Sequence, residues 1–96
     1  MGSFTYCEAL TSITIPDSVK VIADMAFFHC ELLTEITIPG SVKSLGHDVF
    51  SNCFSLKTIT YNGTMEQWEQ IDFAGDDWNE GVPAKVVHCT DGDVEI

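Results

Sequence analysis

Ninety-six residues make one domain with a modest core, and 45% hydrophobic with 10% aromatic content excludes disorder. Fifteen Asp+Glu against four Lys+Arg give a net charge of −11, which disfavours nucleic acid and anionic lipid as partners but leaves a basic partner open. No stretch reaches the roughly 20 apolar residues of a membrane span, and MGSFTYCEAL lacks the regions of a signal peptide.

Met1-Gly2-Ser3 read as an appended tail, because Phe4 already stands in the register of a repeat. Phenylalanines fall at 4, 27, 50 and 73, cysteines at 7, 30 and 53, and leucines at 10, 33 and 56. Ile13, Ile36 and Ile59 come next, then Ile15, Ile38 and Tyr61, each series stepping by 23 residues (27 − 4, 36 − 13). A fixed period of this length means stacked coils. The register places repeats at 4–26, 27–49 and 50–73, the last of them modified.

Within each period the i, i+2 spacing of Ile36 and Ile38 predicts a strand with one buried side, and its β-branched residues suit one. Pro16 and Pro39 lack an N–H and end the first two strands. Ser-Val-Lys at 18–20 and 41–43 then opens a short extended piece, with Val19/Ile22 and Val42/Leu45 as a second apolar side. Asp24 and Asp48 are expected to cap a single helical turn before Phe27 and Phe50. No coil can bury its apolar side alone, so stacking makes the core.

The motif Phe27-x-x-Cys30-x-x-Leu33-x-x-Ile36-x-Ile38-Pro39-x-Ser41-Val42-x-x-Leu45-Gly46 resembles the BspA-type leucine-rich repeat of bacterial and protozoal surface proteins. The resemblance covers about residues 4–73. It implies an α/β repeat solenoid, a right-handed coil with parallel strands on a concave face. It also implies a cell-surface or secreted setting and a role in adhesion or protein–protein binding.

From Tyr61 the pattern changes. Asn62-Gly63 reads as a turn, and Thr64-Met65-Glu66-Gln67 as a capping box opening a helix over 65–72, with Met65, Trp68 and Ile71 near one face. Phe73 is expected to hold the phenylalanine register. YNGTMEQWEQI also resembles the last repeat of the same family. Residues 74–83 read as a loop anchored by Trp78. A strand over 85–89, a turn over 90–93 and a returning strand over 94–96 complete a helix-plus-hairpin C-terminal cap over 74–96.

Nothing comparable covers the N-terminal coil, so Leu10, Ile13 and Ile15 are expected to leave an open edge. Either earlier repeats precede it in a longer protein, or copies associate through it. Cys7, Cys30 and Cys53 read as buried thiols whose parallel side chains present poor disulfide geometry; Cys89 is out of phase, and no disulfide is expected.

Chemistry finds little support. His29, His47 and His88 show no metal-ligand spacing, and His29 beside inward-pointing Cys30 makes no nucleophile pair. Asp76-Asp77 and Asp91-Gly92-Asp93 supply too few oxygens for a calcium loop. Asn62-Gly63-Thr64 fits both a glycosylation acceptor and the turn with its cap. No catalytic residue, metal or cofactor is expected.

Strand alternation turns Ser12, Thr14, Glu35, Thr37, Thr58 and Thr60 outward as a hydroxyl-rich candidate binding face, about 10–15 Å wide over three strands. Threonine also simply suits an exposed strand. Phe28, Phe54 and Trp78 are candidate exposed aromatics, although cap and corner packing explains them equally. The expectation is a non-enzymatic module of a larger surface protein binding protein or glycan, without nucleic acid or membrane insertion. The alternative is a structural spacer or cap with no ligand.

Overall fold

A computed structural model describes residues 10–75 and 77–96. Phe4, Cys7, Asp76 and the tail at 1–3 lie outside the described residues. The inner-sheet strands are β1 (Ser12–Thr14), β3 (Glu35–Pro39), β5 (Thr58–Asn62), β7 (Val86–Cys89) and β8 (Gly92–Glu95). They lie side by side in that order. A second sheet holds β2 (Val21–Ile22), β4 (Ser44–Leu45) and β6 (Asp72–Phe73). Among the described residues one helix, α1 (Met65–Glu69), interrupts the third coil.

The repeat spacing is the pairing register. Ile13 pairs with Ile36 and Ile36 with Ile59, all in parallel. Equivalent residues therefore stack, and the apolar ones form one core: Cys30, Leu33, Ile38, Val42, Val49, Cys53 and Leu56 are fully enclosed. Ring stacking runs through the same core, with Phe27 on Phe50 at 5.6 Å.

The register then steps by 28 instead of 23: Ile59 pairs with Val87 and Leu45 with Phe73. Helix α1 supplies the extra length. Its capping box is formed, Gln67 N–H donating to Thr64 Oγ1 at 3.1 Å and Thr64 N–H to Gln67 Oε1 at 2.8 Å. The helix stops at Glu69, short of the expected residue 72, because Gln70 N–H turns back to the carbonyls of Gln67 and Trp68. Residues 72–73 then rejoin the second sheet. Phe73 consequently stands beside Leu45 and leaves the phenylalanine register.

Residues 77–84 are threaded into the stack, where the sequence suggested a loop. Phe50 N–H donates to the Trp78 carbonyl at 2.7 Å, Asn52 N–H to that of Glu80 at 2.8 Å, and Ala84 N–H to that of Leu56 at 3.0 Å. One coil earlier, Phe27 and His29 N–H make the same bonds to Val49 and Ser51. Trp78, Val82 and Ala84 are buried accordingly.

The expected helical turns at Asp24 and Asp48 are absent; these segments are chains of tight turns. Met25 and Asp48 take φ 59 and 55, His29 and Asn52 take φ 63 and 64, and left-handed residues interrupt a helix. Gly81, in the segment that follows, takes φ 81. Asp24 acts between coils, its Oδ1 accepting from His47 N–H at 2.7 Å, and Asp48 Oδ1 accepts from Ser51 Oγ at 2.9 Å.

The hairpin is tighter than expected. The returning strand begins at Gly92, paired with Cys89, so Thr90-Asp91 alone make the turn. Gly92 has φ 152, where glycine is favoured.

Candidate binding face

The outward residues of the inner sheet form two rows. Thr14, Thr37 and Thr60 are paired in one, and Ser12, Glu35 and Thr58 in the other. Ser12, Thr14 and Glu35 are exposed, while Thr37, Thr58 and Thr60 are half-buried. Their neighbours Ile36 and Ile59 face the core. All six predicted face residues are thus brought together on one surface.

The face is wider than three strands. Because β7 pairs with β5 in parallel, Thr60 stands beside His88, and β8 adds Asp93 beside His88. The threonine row therefore ends in a polar pair, His88 Nδ1 lying 2.9 Å from Asp93 Oδ1. Glu95, paired with Val86, is exposed on the last strand. Four strand intervals of about 4.8 Å give a face of roughly 20 Å. Sequence reasoning assigned 85–96 to a cap and missed this extension. The signal was Val87-x-Cys89, which matches Ile59-x-Tyr61 in its alternation but at a changed step.

Charge on this face comes from Glu35, Asp93 and Glu95, and no Lys or Arg stands within the five strands. The other two histidines lie elsewhere: His29 pairs with Glu31 at 2.6 Å, and His47 Nδ1 is 3.4 Å from Asp77 Oδ1. Among the described residues, no three His, Cys, Asp or Glu side chains gather as metal ligands.

Cys53 and Cys89 are free thiols. Burial pushes the Cys53 thiol up to about 11, and its Sγ lies 2.9 Å from the Phe27 carbonyl it donates to. Cys89 is raised by partial burial, then by the charges of Asp91, Asp93 and Glu69. Neither environment activates a thiolate.

Of the candidate aromatics, Trp78 is buried against Phe50, Trp68 and Phe73. Phe28 is half-buried, and Phe54 is 55% exposed, edge-on to His29. None belongs to the inner-sheet strands.

The stacked 23-residue register and parallel inner sheet agree with a family profile described as BspA type Leucine rich repeat region (6 copies), which matches residues 1–80. The chain belongs to the BspA-type leucine-rich repeat family. This BspA-type chain is also similar to a leucine-rich cell surface protein from Faecalibacterium prausnitzii A2-165, whose crystal structure is 40% identical in sequence with a TM-score of 0.73. The match covers 78% of this chain but 20% of that one, so the chain spans about a fifth of that protein's length. No curated protein matches it. Among the described residues, no helix of this BspA-type chain is long and apolar enough to cross a membrane.

Proposed function

We propose that this chain is a non-enzymatic, protein- or glycan-binding segment of a larger cell-surface or secreted protein, acting in adhesion. The observation carrying this reading is that outward rows stay in register across β1, β3 and β5 and continue onto β7 and β8. Ser12, Thr14, Glu35, Thr37, Thr58 and Thr60 would form the contact surface, with His88, Asp93 and Glu95 extending it. Family membership and the surface protein from F. prausnitzii support the setting. The repeats at 4–73, the right-handed coil and a closing segment over 74–96 belong to the same reading. Self-association through the first coil belongs to the same reading, supported by the uncharged β1, which pairs among the described residues with β3 alone.

The second reading is a spacer. It is favoured by the small hydroxyl side chains of the face and the absence of aromatics from its outward rows. Binding to glycan arrays and to surface-protein extracts, with the wild type against Glu35→Lys/Thr37→Lys/Thr60→Lys, separates the two. A ligand lost in the triple variant supports the binding face. A ligand retained there moves the site elsewhere, and no ligand at all leaves the spacer.

A further inference from the structure

We propose that Asn62 is a site of spontaneous, non-enzymatic deamidation, placed where conversion loosens the hairpin at the end of the inner sheet. Asn62 is the last residue of β5; its side chain is exposed and makes no hydrogen bond among the described residues. Its partner in the ladder, Pro39, has no N–H to donate. The next residue is Gly63, which has no Cβ to shield its nitrogen, and its N–H makes no hydrogen bond among the described residues. An exposed carboxamide thus precedes a glycine that is itself buried but whose backbone nitrogen is held by no hydrogen bond among the described residues.

The chemistry needs only water. Gly63 N attacks Asn62 Cγ, and the new N–Cγ bond closes a succinimide ring. The Cγ–Nδ2 bond breaks, and ammonia leaves with the proton given up by Gly63 N. Water then opens the ring at either carbonyl, leaving an aspartyl or iso-aspartyl residue. No oxidant or second reactant takes part.

The other candidates are better protected. Asp91 also precedes a glycine, but its Oδ1 accepts from Met65 N–H at 2.8 Å. Asn52 and Asn79 precede Cys53 and Glu80, whose side chains crowd the attacking nitrogen. Nor can the glycine readily change, because a Cβ at Gly63 would sit 2.6 Å from the Tyr61 ring and 2.8 Å from Gln67 Oε1.

The position gives conversion a structural consequence. The Gly63 carbonyl accepts from both Thr90 N–H at 2.9 Å and Thr90 Oγ1 at 3.2 Å, and Thr64 caps α1 one residue later. An iso-aspartyl linkage adds a carbon to the main chain just before these bonds. It also places a new carboxylate beside a strand end. The turn at Thr90-Asp91 is held to the third coil through this carbonyl, so its protection falls.

The test is ageing of the purified chain at mildly alkaline pH, beside the same chain in urea and an Asn62→Gln variant, with peptide mapping of the products. The expected result is acid and iso-aspartyl product at 62, absent from the variant, at a native rate within about tenfold of the unfolded rate. Product at 52 or 79 before 62, or a native rate suppressed beyond that range, overturns the site. The converted fraction, separated by charge, should exchange its Thr90 amide faster than the parent. Unchanged exchange there overturns the link to the hairpin.

Discussion

Phe73 lies beside Leu45 in a parallel ladder, although the 23-residue period would put Trp68 there. The displacement lets Trp68 enter the core while Phe73, half-buried, packs against it. Trp68 packs edge-on against Tyr61, Phe73 and Trp78 at 5.3, 5.5 and 5.6 Å, and Trp78 continues the chain of rings to Phe50 at 6.1 Å. Five altered residues in different parts of the stack test how its coils are held together.

Trp78→Ala removes the ring joining Phe50, Trp68 and Phe73, and is expected to cost about 3–5 kcal/mol. Phe54→Ala, at an exposed ring, should cost under about 1 kcal/mol. Urea unfolding monitored by far-UV circular dichroism compares them. Equal midpoints would show that the aromatic chain is not central to stability.

Met25 is a left-handed residue at φ 59, at the position equivalent to Asp48 one coil later. Asn adopts this conformation more readily, and the bond from residue 25 N–H to the His47 carbonyl is backbone and survives. Met25→Asn should therefore stabilise by roughly 0.5–1 kcal/mol, read as a rise in thermal midpoint. A fall would mean that the methionine side chain contributes more than its backbone strain costs.

Gly46 passes against the previous coil, where a Cβ would stand 2.5 Å from Asp24 N and 2.8 Å from Asp24 Cα. That obstacle is backbone and cannot rotate away. Gly46→Ala should cost about 2 kcal/mol through coil separation. Hydrogen exchange at His47 N–H, which donates to Asp24 Oδ1, should quicken beyond the change in global stability. Unaltered exchange would refute the close approach.

Cys53 links stability to pH. Its thiol, ordinarily at 9.0, rises in the fold to about 11, chiefly through burial. An acid raised on folding contributes stability that is full below the unfolded value and is lost as pH climbs through the folded one. Between pH 9 and 11 the wild type should therefore lose about 2 kcal/mol more than Cys53→Ala. Tyr61 and Cys89, both also raised, contribute to the slope of both proteins and cancel in the comparison. Parallel pH profiles would exclude a buried, protonated Cys53.

The sequence alone determined the repeat, the inward residues and the rows that the inner sheet presents. Identical side chains at a constant step can stack only in register, as Ile13, Ile36 and Ile59 do. The capping box at Thr64 was equally legible, because it is a local bond between residues three apart. The path of the chain beyond α1 was decided by tertiary packing. Once a helix is inserted, no constant step remains to show that Val87 joins Ile59 or that Trp78 serves Phe50 as Val49 serves Phe27. Those partners are chosen by the N–H and C=O groups of the third coil, which donate to or accept from any backbone that reaches them. For the same reason His88 and Asp93 joined the outward face without a sequence signature of their own. Left-handed turns also escaped a reading by residue type, since stacking on the next coil holds Met25 and His29 where their own preferences would not.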